Sequence, residues 1–161
     1  MLKAARKDLA RSGITPEEAE EAGMYATRDA RAELGPSFLP LPALVIPYPD
    51  PFTGDLIQYA DDSGVESDFF RVRYLAKPEP GKGWTGGKVQ RYAQPPRSGV
   101  HPYFPTLDDL DWMEVIEDTR QPIIITEGEK KALRACLAGH NCIGLGGVYN
   151  FLSMHELLPI L

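Results

Sequence analysis

The chain has 161 residues, of which 43% are hydrophobic and 25% are charged. This composition supports a packed core and excludes a chain that is disordered throughout. The net charge of −6 excludes a protein that coats DNA by being basic everywhere, although it leaves room for a local basic patch. The N-terminus lacks the apolar stretch of a secretory signal, and no apolar run is long enough to span a bilayer, so we expect a cytoplasmic protein without membrane contact.

Residues 1–35 are predicted to form an N-terminal segment of short helices. The first helix is expected within residues 2–11. Thr15 and Glu18 predict the start of a second helix, because their spacing and residue types match a capping box. A third helix is predicted over residues 27–34, with a glycine directly after it. Helices this short are not stable alone, so they must pack on other elements.

Residues 36–107 are predicted to form a region of antiparallel β-hairpins. Proline is frequent in its first part, and short apolar or alternating runs follow, separated by turns rich in Asp, Gly and Pro. This spacing is typical of hairpins, and proline beside the runs fits strand edges and turns. The predicted strands are residues 43–46, 55–59, 69–74 and 89–92.

Residues 108–161 are predicted to form a β-α-β-α unit with parallel strands, which makes the fold class α+β. The apolar, β-branched run at 123–126 is typical of a buried parallel strand. Two parallel strands make a small sheet. We therefore expect that they join the preceding β region, or that the α/β domain continues beyond this chain. The predicted elements in chain order are a helix at 107–117, the strand at 123–126, a helix at 129–138, a buried strand at 141–145 and a helix at 151–158.

Glu127 is predicted to lie at the carboxyl end of the first parallel strand, where ligands gather in open α/β sheets. Gly128 permits a tight turn into the next helix, whose free N–H groups face the same space. The arrangement can hold a divalent cation through Glu127, a phosphate through the N–H groups, or both. Lys130 and Lys131 occupy the first helical turn, where the helix dipole disfavours cations. In the alternative interpretation, Glu127 and Glu129 only stabilise that dipole.

A glycine-rich turn at 144–148 is expected at the same edge of the sheet. It is not a P-loop, because no Gly-Lys-Ser/Thr sequence follows. Together with Gly128, Gly146 and Gly147 can allow a phosphate to approach the backbone closely. The alternative is that these glycines serve only the tight packing of the strand against the helix.

Residues 71–97 form a basic segment with a net charge of +6, from seven Lys or Arg and one Glu, and they include three aromatic residues. Cations can contact phosphates while aromatic rings stack on bases. Strand alternation places Arg71 and Arg73 on one face. Alternatively, the acidic stretches at 50–68 and 108–118 neutralise the segment within the fold. The predicted nucleic-acid-binding residues are Arg71, Arg73, Lys88, Arg91, Tyr92, Lys130 and Lys131.

The cysteines and histidines are not predicted to bind metal. Cys136 and Cys142 have no Cys or His partner at zinc-ligand spacing, so we interpret them as reduced core thiols. His101, His140 and His155 are isolated in the sequence and are interpreted as surface or core residues.

The segments Thr-Glu-Gly-Glu-Lys-Lys-Ala at 126–132 and Gly-Leu-Gly-Gly-Val at 144–148 resemble the opening β-α-β of a Toprim domain. More narrowly, they resemble the Toprim-like DUF3854 domain found in phage and plasmid primases and replication proteins. Weaker pieces upstream extend the resemblance over roughly residues 8–152. Those pieces are residues 12–15, 41–48 and 92–96.

The resemblance implies that Glu127 is a metal ligand and catalytic group. In Toprim enzymes the equivalent Glu acts with an Asp-x-Asp pair from a later strand to bind Mg²⁺ or Mn²⁺, which neutralises charge on a phosphate. The later pair has no match in this sequence. Asp109 and Asp111 precede Glu127 and are expected on a helix, so they do not take that role.

We therefore expect the N-terminal portion of a mobile-element DNA replication protein, truncated before its Asp-x-Asp motif. Its activity when complete is expected to be of the primase, nucleotidyltransferase type, and this fragment is expected to be inactive. The implied partners are DNA or RNA, with single strands favoured, and an attached or associated helicase. The alternative is a non-catalytic module that binds nucleic acid or a protein partner.

Overall fold

The computed structural model describes residues 1–60, 64–78 and 90–147. The prediction of an α+β fold is confirmed. The predicted helix at 151–158, the start of the predicted strand at 89–92, and Lys88 and His155 lie outside the described residues. The elements are α1 (Lys3–Ala10), α2 (Pro16–Glu21), β1 (Tyr25–Thr27), α3 (Ala30–Leu34), β2 (Ala43–Pro47), β3 (Gln58–Ala60), β4 (Glu66–Asp68), β5 (Phe70–Tyr74), β6 (Tyr92–Ala93), α4 (Trp112–Glu117), β7 (Ile124–Glu127), α5 (Glu129–Cys136) and β8 (Cys142–Leu145).

The N-terminal helices begin where side chains satisfy their first N–H groups. The capping box of α2 is confirmed: the Thr15 N–H donates to Glu18 Oε2 at 2.7 Å, and the Glu18 N–H donates to Thr15 Oγ1 at 3.2 Å. The predicted third helix is wrong at its start, because Asp29 caps α3 by accepting from two backbone N–H groups. The residues before that cap form β1 instead, a strand that its three residues alone do not signal.

The predicted antiparallel region is confirmed: its described residues, with β1, form a four-stranded sheet in the order β1-β2-β5-β6, beside a separate β3-β4 hairpin. The central strand β2 is buried on both faces. Leu44 and Ile46 belong to a main core, whereas Ala43 and Val45 belong to a second, smaller core. Because β1 is an edge strand of this sheet, the N-terminal helical segment and the β region share one sheet.

The main core joins all three segments predicted from the sequence. It contains Leu9 from α1, Leu44 from β2, Leu133 from α5 and Ile143 from β8. The second core packs α3 and its following loop against β2 and β5, and it includes Val72. The alternation predicted for β5 is therefore confirmed, since Val72 and the neighbouring apolar residues lie on the face opposite the two arginines.

The parallel β-α-β unit is confirmed, with β7 and β8 in register and α5 between them. The prediction that β7 is buried is wrong, because Ile124 and Ile125 are 46% and 38% exposed. Among the described strands, β7 pairs only with β8 and forms an edge of the small sheet. In contrast β8 is buried, since β7 lies on one side and the backbone of Tyr103 bridges Gly144 on the other, with N···O distances of 2.8 and 2.9 Å.

The predicted helix at 107–117 starts later than expected, because Asp111 caps α4 and Asp109 lies in the preceding turn. Cys136 and Cys142 are buried free thiols, as predicted, and burial raises the pKa of Cys136 to about 11. Among the described residues, no helix is both long enough and apolar enough to cross a bilayer.

Candidate functional site

Glu127 is the last residue of β7, at the carboxyl end of the parallel strand pair, as predicted. Gly128 follows with φ +93°, in the left-handed region that favours glycine, and its N–H donates to the Leu145 carbonyl at 2.7 Å. The Glu127 side chain is exposed, and within the described part of the chain its carboxylate has no hydrogen-bond or ion-pair partner. The turn therefore presents a free carboxylate at the strand end.

A cleft of about 240 Å³ opens beside this carboxylate, and we call it the strand-end cleft. It brings together residues that are far apart in sequence. They come from the turn between α1 and α2, from β5, β6 and α5, and from the glycine-rich turn. Lys131 is exposed in the cleft, as expected for a residue available to a ligand. The lining residues are Ser12, Arg71, Tyr92, Glu127, Gly128, Glu129, Lys130, Lys131 and Gly146.

Glu129 has an environment opposite to that of Glu127. It is only 1% exposed, and its Oε1 accepts hydrogen bonds from Tyr48 Oη at 2.7 Å and Arg71 Nη1 at 2.5 Å. Burial alone would lower the pKa of Arg71, but the adjacent Glu129 outweighs this effect and raises it. Burial and the Glu129 charge together raise the pKa of Tyr48 well above its ordinary value. Glu129 is therefore a buried, paired carboxylate rather than only an exposed charge on the helix dipole.

Asp8 on α1 holds two further cations. Arg73 donates to it through Nε and Nη2 at 2.6 and 2.7 Å, and Lys130 Nζ donates to the same carboxylate at 2.6 Å. Burial raises the pKa of Asp8, but the hydrogen bonds from both cations outweigh this effect and lower it. Burial lowers the pKa of Lys130, an effect that Asp8 only partly offsets.

The three cations and two carboxylates of these ion pairs connect α1, β5 and α5, and we call them the charged junction. Tyr92 lies against it, with its ring centroid 5.2 Å from Arg71 Cζ and 5.1 Å from Arg73 Cζ, within the range of cation–π attraction. Arg71 and Arg73 are therefore paired within the fold, as the alternative interpretation of the basic segment expected. Their acidic partners, however, lie outside the stretches 50–68 and 108–118 that the sequence suggested. The members are Asp8, Arg71, Arg73, Glu129 and Lys130.

The glycine-rich turn contacts this junction. A Cβ added at Gly146 would collide with the Arg71 guanidinium, and one at Gly144 would lie 3.3 Å from both the Glu129 Cα and the Gly128 carbonyl oxygen. Tight packing of the strand against the helix therefore accounts for Gly144, whereas Gly146 leaves room for Arg71 of β5. Gly147 is half-buried. Close approach of a phosphate to Gly128, Gly146 or Gly147 stays a prediction.

Residues 111–157 match the family model described as "Domain of unknown function (DUF3854)". This segment is a DUF3854 domain. The predicted resemblance is confirmed for it, and the match covers α4 and the β7-α5-β8 unit that carries Glu127. The match does not extend to the upstream pieces of the resemblance, and the Toprim and primase context stays a prediction. The chain has no match among curated proteins or among solved structures.

The described residues of the matched segment, 111–147, do not by themselves supply a complete metal site. Across residues 1–60, 64–78 and 90–147, no group of three or more His, Cys, Asp or Glu side chains is placed to hold a metal ion. Glu129 is the nearest carboxylate in sequence, but its Oε1 is occupied by Arg71 and Tyr48. Asp111 caps α4. Mg²⁺ prefers several oxygen ligands in octahedral geometry, so Glu127 alone does not fit the ion.

A second cleft, of about 330 Å³, lies between α1 and the end of β5, outside the DUF3854 domain. Arg91, predicted to bind nucleic acid, lines it. Lys7 and Arg11 line it too, and neither was predicted as a site residue. Lys7 lies in the last turn of α1 and Arg11 is its C-cap, so their spacing of four residues places them on the same face. That spacing is the signal that could have found them. We call it the basic cleft, and its charged residues are Lys7, Asp8, Arg11, Arg73, Lys77 and Arg91.

Proposed function

We propose that the chain is part of a mobile-element DNA replication protein with a Toprim-like primase core. In the complete protein, that core would act on nucleic acid with Mg²⁺ or Mn²⁺. The match to DUF3854 over residues 111–157 supports this proposal. The observation that carries it is the exposed, unpaired carboxylate of Glu127 at the carboxyl end of parallel strands, followed by a glycine in the left-handed region. An attached or associated helicase is part of the same proposal.

Glu127 would contribute one ligand to a divalent cation. Such a cation would neutralise charge on a phosphate, and it needs further carboxylates beyond those that the described residues bring together. Lys131 is exposed in the same cleft and would contact a phosphate directly. The described residues on their own are therefore proposed to bind nucleic acid rather than to catalyse a reaction on it.

A non-catalytic module that binds nucleic acid or a protein partner is the second candidate. It is favoured by one specific observation, that no group of three or more His, Cys, Asp or Glu side chains among the described residues is placed to hold a metal ion with Glu127. In this case Glu127 would be a solvated surface charge, and binding would depend on the basic residues alone.

The test compares Glu127→Gln with Glu117→Gln, a matched change of another exposed carboxylate. Binding of labelled single-stranded DNA is measured by fluorescence anisotropy, and Mn²⁺ binding by electron paramagnetic resonance with the DNA present. The first proposal expects salt-sensitive DNA binding by the 161-residue chain. In the complete protein, where further carboxylates are supplied, it expects Mn²⁺ uptake that only Glu127→Gln reduces. DNA binding without any effect of Glu127→Gln selects the second candidate. Absence of DNA binding at low salt contradicts both nucleic-acid proposals.

A further inference from the structure

We propose that the basic cleft binds the phosphodiester backbone of single-stranded nucleic acid through Lys7, Arg11, Lys77 and Arg91. This inference rests on the proposed function and names the surface that makes the contact. It replaces part of the basic surface predicted from sequence, because Arg71, Arg73 and Lys130 are held in the charged junction.

The walls of the basic cleft come from two distant parts of the chain. Lys7 and Arg11 lie on and directly after α1, while Lys77 and Arg91 follow β5 and precede β6. The Tyr74 N–H donates to the Arg91 carbonyl at 2.9 Å, which ties Arg91 to the end of β5. The bidentate pair between Arg73 and Asp8, both in the cleft lining, connects the two walls. The two walls are therefore held together by an ion pair.

The charge balance of the cleft favours an anionic ligand. Among the described residues, its lining holds five cations and one carboxylate, a net charge of +4 in a chain of net charge −6. Asp8 is already engaged by Arg73 and Lys130. The other four cations are exposed, and in the described part of the chain none of their side chains has an ion-pair or hydrogen-bond partner. Like charges that converge on one groove repel each other, so a ligand with several negative charges relieves the repulsion.

The shape of the cleft favours a chain of phosphates with bases over a single phosphate ion. The cations are distributed over two walls around a volume of about 330 Å³. Between them the lining includes apolar surface from Ala4, Leu75 and Ala76, against which bases can pack. A single-stranded nucleic acid supplies both the regularly spaced charges and the unpaired bases.

The experiment uses the 161-residue chain and a labelled oligothymidylate of about 20 nucleotides, longer than the site of a typical single domain. Lys7→Ala combined with Arg11→Ala removes two cations from one wall. Lys77→Ala combined with Arg91→Ala removes two from the other. The matched control is Arg28→Ala combined with Arg120→Ala, two exposed arginines that do not line the cleft. Circular dichroism checks the folding of each variant.

Each cleft variant should weaken binding at low salt by about tenfold and reduce the slope of log K against log salt by about 1.4, because each lost phosphate contact on a single strand contributes about 0.7. The control should stay within about twofold of the unchanged chain. Because the two variants alter different walls, loss of folding in one leaves the other to decide.

Two results would overturn the proposal that the cleft binds single-stranded nucleic acid without contradicting the proposed function. If DNA binds but both cleft variants behave like the control, the contact lies elsewhere. If inorganic tripolyphosphate displaces the oligothymidylate at equal phosphate concentration, the cleft recognises free polyphosphate instead. If the unchanged chain does not bind the oligothymidylate at low salt, the proposed function fails together with this inference.

Discussion

The exposed end of β7 and the buried start of α5 are separated only by Gly128, yet their glutamates differ in burial and in pairing. Glu127 is exposed and has no partner among the described residues. Glu129 is buried, bonded to Tyr48 and Arg71, and connected through Tyr92 to the rest of the charged junction. A buried paired charge stabilises the fold, because losing either partner leaves the other uncompensated, whereas an exposed charge is free to meet a ligand.

The charged junction and the basic cleft show the same difference on a larger scale. The junction takes its cations from β5 and α5, whereas most cations of the cleft come from the end of α1 and the segments after β5 and before β6. The two share the pair between Asp8 and Arg73. In the junction three cations are matched by two carboxylates, whereas at the rim of the cleft four cations have no partner in the described part of the chain. The junction therefore holds the elements together, whereas the unpaired cations of the cleft are available to bind a ligand.

The largest expected effect separates the two glutamates. Glu129→Gln leaves the Arg71 guanidinium buried without a charge partner, and we expect it to lower the free energy of unfolding by about 3–5 kcal/mol. Glu127→Gln, the control two residues away, should change it by less than about 0.5 kcal/mol. Urea unfolding followed by circular dichroism measures both. Equal effects would show that the two carboxylates share one environment.

The paired strands β7 and β8 give the next comparison, since Ile125 and Ile143 are register partners with very different exposure, 38% and 2%. Ile143→Ala should cost about 2–5 kcal/mol, because it removes buried volume from the main core. Ile125→Ala should cost less than about 1 kcal/mol, because its side chain already contacts water. The same unfolding measurement applies. A large loss from Ile125→Ala would mean that β7 is covered in the folded protein.

The pH dependence of stability tests Asp8. Because its folded pKa is lowered from the ordinary 3.8, its contribution is present above that value and lost as the pH falls through the lower folded pKa. At neutral pH, Asp8→Asn should destabilise the chain by about 1.5–3 kcal/mol through weaker bonds to Arg73 and Lys130. The difference in the free energy of unfolding between the unchanged chain and Asp8→Asn should become smaller as the pH drops below about 4. A difference independent of pH would contradict this assignment.

The smallest expected effect compares two buried tyrosines. Tyr48→Phe removes the hydroxyl that donates to Glu129, and we expect a loss of about 1 kcal/mol with the ring packing kept. Tyr103→Phe should be neutral or slightly stabilising, because its buried hydroxyl has no hydrogen-bond partner among the described residues. Thermal unfolding of the two variants makes the comparison. A greater loss from Tyr103→Phe would reveal a partner for that hydroxyl.

Local patterns allowed much of the fold to be predicted. The capping box at Thr15 and Glu18 depends on residues three apart, and the alternation around Val72 depends on the period of a strand. The β-α-β order, with Glu127 at a strand end, likewise follows from hydrophobic runs and a glycine. In contrast β1 was missed, because its three residues form a strand only when β2 lies beside them.

The sequence by itself determined the fold class, the position of Glu127 and the excess of cations in one segment, since each depends on composition or on neighbours along the chain. Only the tertiary structure decided which charges are free. Asp8 meets Lys130 across 122 residues of sequence and Arg73 across 65. Exposure of β7 likewise depends on which elements cover it. Burial and pairing arise from packing between distant segments, and no local spacing encodes them.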